Sequence, residues 1–315
     1  MADVARYYRL GMSVPTRTDR LQALSGRLID KVESTAVFDA AAAAIGKRLR
    51  AAVSPGALKD ALSGTWLGHP VHPALSDVVI GSFLSATLLD LFGGDADGRA
   101  RSGLIGVGLL AAGPTALTGA NDWGDAELGS DAVRRTGLVH AASNSGAVLL
   151  YAASLLARRR GRRRRGVLLG LGGATLLLAG AHLGGHLAFS LGVGPDQTVF
   201  DPGPDDWSAA ADASRLPQGR PTRVVVEETP VLLLRTGDRI LAVHDRCSHR
   251  GCSLSGRGEV DGEHIVCGCH GSTFDLRDGS IHRGPATAPQ PAFEVRERDG
   301  RIEVRRMAKS SRQRA

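Results

Sequence analysis

All four cysteines of the chain lie in one short window, "CSHRGC" from Cys247 and "CGCH" from Cys267. Two histidines sit among them. The pattern is Cys247-x-His249, then 17 intervening residues, then Cys267-x-x-His270. Each half offers one thiolate and one imidazole, so the fold must present two short loops to one another. Four such ligands suit Zn²⁺ or an iron–sulfur centre. Zinc fingers usually pair Cys with Cys and His with His in separate arms. A [2Fe–2S] centre with two Cys on one iron and two His on the other is served by one of each from two loops.

The surroundings of the window read as a small all-β unit. From about Thr222 to Arg306 short β-rich runs such as "RVVVEE", "VLLLRT", "RILAVH" and "RIEVRR" alternate with turns. Gly237-Asp238 and Asp299-Gly300 mark hairpins. Over this stretch the sequence resembles the Rieske [2Fe–2S] family. The resemblance implies a cluster held by Cys247, His249, Cys267 and His270. Cys252 and Cys269 make the likeness closer to the Rieske proteins of cytochrome bc and bf complexes. There the two equivalent cysteines form a disulfide that ties the ligand loops; two free thiols are the alternative here. Such a bridge suits an oxidising compartment. Ser272 stands where the high-potential members donate a hydroxyl hydrogen bond to a bridging sulfide. Their tyrosine two residues on is replaced by Phe274. The resemblance therefore implies a potential below that of respiratory complexes and above that of disulfide-free Rieske ferredoxins. "GPATAPQP", Gly284 to Pro291, resembles the proline-bearing loop covering the cluster. His249 and His270 would form the exposed edge through which electrons pass.

The preceding half of the chain is of another kind. Four segments approach the roughly 20 residues needed to cross a bilayer, at about 73–92, 103–120, 137–157 and 166–189. Asp77, Asp90, Asn144 and His182 interrupt them. Their Gly, Ala, Ser and Thr content suits close packing in lipid. A soluble four-helix bundle is disfavoured, since long Gly-rich helices without charged faces are poor helices in water. The net charge of +7 is concentrated in "RRRGRRRR", Arg158 to Arg165. Because this run separates two apolar segments, it points to a membrane and not to nucleic acid. It should lie in the cytoplasm, which places both termini and the β unit on the outer face. "RRGVLL", Arg164 to Leu169, resembles a twin-arginine export signal; an ordinary positive-inside anchor explains it as well. No N-terminal secretory signal is expected. Leu21–Ile29 and Val37–Leu49 have the spacing of amphipathic helices, within what reads as a solvated tail.

Five histidines belong to this half. His69, His72, His140, His182 and His186 all fall at one end of a four-span bundle, the end that carries the β unit. His182 and His186 share a helix face. "GHPVHPAL", Gly68 to Leu75, resembles the signature of a family of four-span bacterial membrane domains of unknown function. Ionisable groups at this depth are costly and often functional. They suit haem b, with His140 and His182 or His186 as ligands, or a quinol headgroup; histidines bonded to backbone or water are the alternative.

The expected architecture is thus an α-helical transmembrane four-helix bundle followed by a small all-β Rieske-type domain. Its segments are a polar or amphipathic tail (1–64), the four-span domain (65–193), a linker (194–221), the cluster domain (222–306) and a disordered tail (307–315). The expected function is membrane-anchored, one-electron transfer at the cell membrane. Electrons would pass from a membrane donor, quinol or haem, to an outer-face acceptor protein. A quinol-oxidising subunit and an iron–sulfur sensor are the alternatives. A ring-hydroxylating oxygenase needs a large domain with a two-His, one-carboxylate iron site. The chain ends at Ala315, too soon after His270 for one.

Overall fold

The computed structural model describes residues 17–307, so the first residues of the expected N-terminal tail and nearly all of the C-terminal one lie outside it. Four helices form the middle of the chain: α4 (Val71–Phe92), α5 (Gly98–Ala126), α6 (Asp131–Arg159) and α7 (Arg163–Phe189). Each is long and apolar enough to cross a membrane. The shortest has 22 residues, about 33 Å at 1.5 Å per residue. The helices outrun the apolar segments at polar ends. α5 continues through Asn121–Ala126, and α6 starts at Asp131, capped by the Ser130 hydroxyl accepting from the Val133 amide.

Small residues let these helices approach. The Phe83 and Tyr151 rings stack at 4.0 Å between centroids. A Cβ at Gly108 would meet Phe83 at 2.5 Å, and one at Gly173 would meet Tyr151 at 2.9 Å. The Tyr151 hydroxyl is satisfied within the bundle by Thr87 Oγ1 at 2.7 Å and the Phe83 carbonyl at 3.2 Å. Asp90, one of the residues interrupting the apolar runs, is paired. Arg158 holds it with two hydrogen bonds, at 3.0 and 2.5 Å, and Arg101 Nε lies 3.5 Å away. All three side chains are nearly inaccessible, at the bundle end beside the arginine run.

The region before the bundle departs from the solvated tail expected of it. Helices α1 (Arg17–Ser34), α2 (Asp39–Ala52) and α3 (Ala57–Ser63) lie against the opposite end of the bundle. Arg135 binds Asp39 through two hydrogen bonds and the Glu33 carbonyl through a third. Arg50 reaches Glu127 at 2.5 Å and the Gly124 carbonyl at 2.9 Å. The charges that made this segment look like a tail are the ones that dock it.

Among the described residues the β unit has ten strands. Three-stranded sheets β1–β10–β9 (Ser208–Asp212, Arg301–Arg306, Phe293–Arg298) and β2–β3–β4 (Thr222–Val226, Thr229–Thr236, Arg239–His244) frame it. The four-stranded sheet β5–β6–β7–β8 (Glu259–Asp261, His264–Val266, Thr273–Asp275, Ile281–Arg283) carries the second cysteine loop. All named pairings are antiparallel. Gly237-Asp238 and Asp299-Gly300 are the hairpin turns joining β3 to β4 and β9 to β10. β3 is buried on both faces. Leu232 and Leu234 enter the core beneath the cysteine loops, and Val231 and Leu233 enter the core against β9 and β10. Strand β1 falls inside 194–221, the segment expected to be linker. It pairs with β10, almost a hundred residues later in the chain, and its alanines have no strong strand preference of their own.

Candidate metal centre

Two loops built on one plan form the site. In the first, between β4 and the short helix α8 (Leu254–Arg257), the Cys247 amide donates to the Cys252 carbonyl at 2.8 Å. The Gly251 amide returns to the Cys247 carbonyl at 2.8 Å. In the second, between β6 and β7, Cys267 and Ser272 repeat the first contact at 2.8 Å, and Gly271 and Cys267 repeat the second at 2.9 Å. The chain reverses at Gly251 (φ 75°) and Gly271 (φ 84°), where only glycine adopts the left-handed conformation without cost. Disulfide Cys252–Cys269 joins the two loops. Cys247 and Cys267 remain as free, buried thiols.

Folding sorts the four candidate ligands by element. The Cys247 and Cys267 thiols lie close enough to perturb each other's ionisation. The His249 and His270 rings meet edge to face, 5.1 Å apart. The backbone amides of His249 and Arg250 favour the thiolate of Cys247, and those of Cys269 and His270 favour that of Cys267. Interaction with Cys247 brings the Cys267 thiol down to about 6, and Cys247 is raised in return. Burial, with Arg250, His270 and Lys59 nearby, holds His249 well below the ordinary imidazole value, and burial also lowers His270. Both rings are thus neutral near pH 7, the form that binds metal. His249 Nδ1 is buried with no hydrogen-bond partner. Two sulfurs together and two imidazoles together fit a two-iron cluster with Cys₂ and His₂ ends. The sulfurs of Cys252, Cys267 and Cys269 also lie within 4.8 Å of one another, but two of them are spent in the disulfide.

The supporting shell contains residues that the spacing of the cysteines did not reveal. Gln290, fully buried, joins the covering loop to the first ligand loop. Its Oε1 accepts from the Ser248 amide at 3.0 Å, and its Nε2 donates to the His244 and Arg246 carbonyls at 2.6 and 2.5 Å. Asp245, also buried, accepts from Ser253 Oγ and the Ser255 amide, both at 2.7 Å. Ser272 is fully buried, and its oxygen accepts from the Ala286 amide at 3.0 Å. That contact leaves the hydroxyl proton free to be donated. Phe274, in the place of the family's tyrosine, packs into the core.

The histidine edge, expected to be exposed, is only partly so. It rests on the helical half. His249 Nε2 lies 3.7 Å from Asp125 Oδ2 near the end of α5. Arg250 Nη2 donates to the Asp122 carbonyl at 3.3 Å, and Thr65 Oγ1 donates to the Ala286 carbonyl at 3.1 Å. A cavity of about 350 Å³ opens beside this contact, lined by His69, Asp122, Ser248, His249, Arg250 and Pro285 among others.

The bundle histidines are engaged separately. His140 Nδ1 donates to the Gly180 carbonyl at 2.8 Å, with the ring against Gly184. His182 pairs with Ser25 at 3.0 Å and His186 with Glu33 at 2.8 Å, both on α1. His140 therefore turns into the α6–α7 seam while the other two turn towards α1. The arrangement does not gather them as an axial pair for haem b.

Comparison with known proteins agrees with both halves. Residues 206–294 match the Rieske [2Fe-2S] domain, and residues 68–197 match the family described as "Predicted membrane protein (DUF2231)". The chain is 35% identical to Ferredoxin CarAc of Metapseudomonas resinovorans over 31% of its own length and 92% of that protein. It is 30% identical to the anthranilate 1,2-dioxygenase ferredoxin subunit of Burkholderia cepacia, over 31% of its length and 91% of that protein. It is 31% identical to the cytochrome b6-f complex iron-sulfur subunit of Chlorobaculum tepidum, over 30% of its length and 51% of that protein.

Proposed function

Because the chain belongs to the Rieske [2Fe-2S] family and joins that domain to a four-helix membrane domain, we propose that it passes single electrons at the cell membrane. In this reading Cys247 and Cys267 hold one iron of a [2Fe–2S] cluster, and His249 and His270 hold the other. When bound, such a cluster supplies a reversible one-electron redox step. The chain's own residues prepare the place. Backbone amides of the ligand loops favour the thiolates, and the disulfide and Gln290 hold the loops in register. Burial keeps both imidazoles neutral, and the Ser272 hydroxyl retains a proton to donate. The observation that carries the reading is the pairing of two free buried thiols and two neutral imidazoles across loops tied by Cys252–Cys269.

A quinol is the donor this arrangement favours. The cavity beside His249 is within the usual range for small-molecule sites, roughly 300–1,000 Å³, and polar groups of His69, Asp122 and Arg250 line it. The arginine run at the far end of the bundle supports an outer-face position for the β domain, with acceptor proteins met there. The membrane histidines serve helix contacts in this reading, and no haem is required.

The test is electron paramagnetic resonance of reduced, detergent-purified protein, with iron and haem quantified alongside. Two irons per chain, a Rieske-type signal lost in His249→Ala, and no b-type optical bands are expected. Iron-free protein purified anaerobically from iron-replete cells would refute the cluster. Addition of a soluble quinol should reduce the wild-type cluster without other proteins; failure to do so would remove the quinol reading alone.

A further inference from the structure

The helical half presents a buried ion pair to the candidate cluster edge. Lys59 on α3 and Asp125 near the end of α5 meet at 2.8 Å, with side chains 4% and 3% exposed. Charges are costly to bury even when paired, and this pair, which also joins α3 to α5, lies directly beneath the β domain. Asp125 is only half used by it. Lys59 takes Oδ1, while Oδ2 is buried with no hydrogen-bond partner and lies 3.7 Å from His249 Nε2. The other nitrogen of that ring, Nδ1, also lacks a partner within the protein. The ring is thus flanked by a carboxylate on one side and is uncommitted on the other. The neighbouring charges are partly engaged, although Arg250 Nε and Nη1 are buried without a hydrogen-bond partner. Asp122 receives Asn121 Nδ2 at 3.2 Å, and Arg250 donates to the Asp122 carbonyl.

We propose that Lys59 and Asp125 form a positioning pair through which the membrane domain orients His249 and sets the reduction potential of the β domain's cluster. The proposal rests on His249 being a cluster ligand. A carboxylate at the outer nitrogen of a metal-bound imidazole fixes its tautomer and orientation. Here that carboxylate comes from a different domain, so the potential depends on docking. The sign follows from charge. Reduction adds an electron at the site, which a nearby negative charge opposes and a nearby positive charge favours. The intact pair is close to neutral, and removing either member unbalances it in opposite directions.

The experiment is a redox titration of full-length, detergent-purified protein at fixed pH and salt, followed by electron paramagnetic resonance. Asp125→Asn, nearly isosteric, should raise the midpoint potential. Lys59→Met should lower it, because Asp125 is then left unpaired. The double variant should return towards wild type, and Lys59→Arg should leave the potential in place. A merely structural role, in which any substitution loosens the interface, would move both single variants the same way. Shifts of like sign, or no shift in either variant while the signal is retained, would overturn the proposal. Absence of the signal from the wild type would instead overturn the ligand assignment beneath it.

Discussion

Gln290 lies 42 residues along the chain from Ser248, yet it is the hinge pin of the first ligand loop. Replacing it with Ala removes one acceptor and two donors at once. The Ser248 amide and the His244 and Arg246 carbonyls lose their partner, and Gln290 itself is 0% exposed. A buried polar group left without a partner costs about 1–3 kcal/mol. Three such groups at the low end of that range give about 3 kcal/mol. For a domain of roughly 100 residues, each 1 kcal/mol moves the melting midpoint by about 4–8 °C. Gln290→Ala should therefore lower the midpoint by at least about 12 °C. The assay is the temperature at which the visible circular dichroism of the cluster is lost in full-length protein. Gln290→Glu provides the sharper control. It keeps the shape and the acceptor but turns an anion towards two carbonyl oxygens, so it should be no better tolerated than Ala. A midpoint within about 4 °C of wild type for either variant would refute the network as the element holding this loop.

Other substitutions test separate parts of the same construction. The Cys252–Cys269 bridge closes a 17-residue separation, worth about 3 kcal/mol on loop-closure grounds. Cys252→Ser/Cys269→Ser should lower the denaturation midpoint accordingly and abolish its sensitivity to reductant; identical midpoints would contradict this. Ser272→Ala removes the free hydroxyl proton and the acceptor of the Ala286 amide, so redox titration should show a lower potential, and an unchanged value would count against Ser272 as a donor. Asp90→Leu leaves Arg101 and Arg158 buried without a counter-charge, expected to cost about 3–5 kcal/mol. Thermal unfolding in detergent should show the loss, and a change under about 1 kcal/mol would mean water reaches these arginines.

Much of the molecule is legible along the chain because the signals are local. The spacing of Cys247, His249, Cys267 and His270 marks a candidate iron–sulfur site, since only certain side chains bind iron. The apolar segments reveal the four helices because length and hydropathy decide what crosses a bilayer. The Gly237-Asp238 and Asp299-Gly300 hairpins follow from turn chemistry at two residues each. The Cys252–Cys269 bridge was legible only by likeness to a family, as spacing alone leaves two thiols free.

What the chain order conceals is set by contacts between distant residues. β1 forms because β10 offers an edge, and a stretch of small residues beforehand reads as linker. The charges of α1 and α2 suggest solvent until Arg135, Glu127 and Gly124 are placed opposite them. Gln290 and Asp245 carry no motif, since a buried hydrogen bond is defined by its partner and not by its neighbours in sequence. The histidine edge shows the division most clearly. Residue identity alone determined that His249 and His270 can bind iron. Only tertiary structure decided that Asp125, more than a hundred residues earlier, stands against one of them, because electrostatic coupling depends on distance in space.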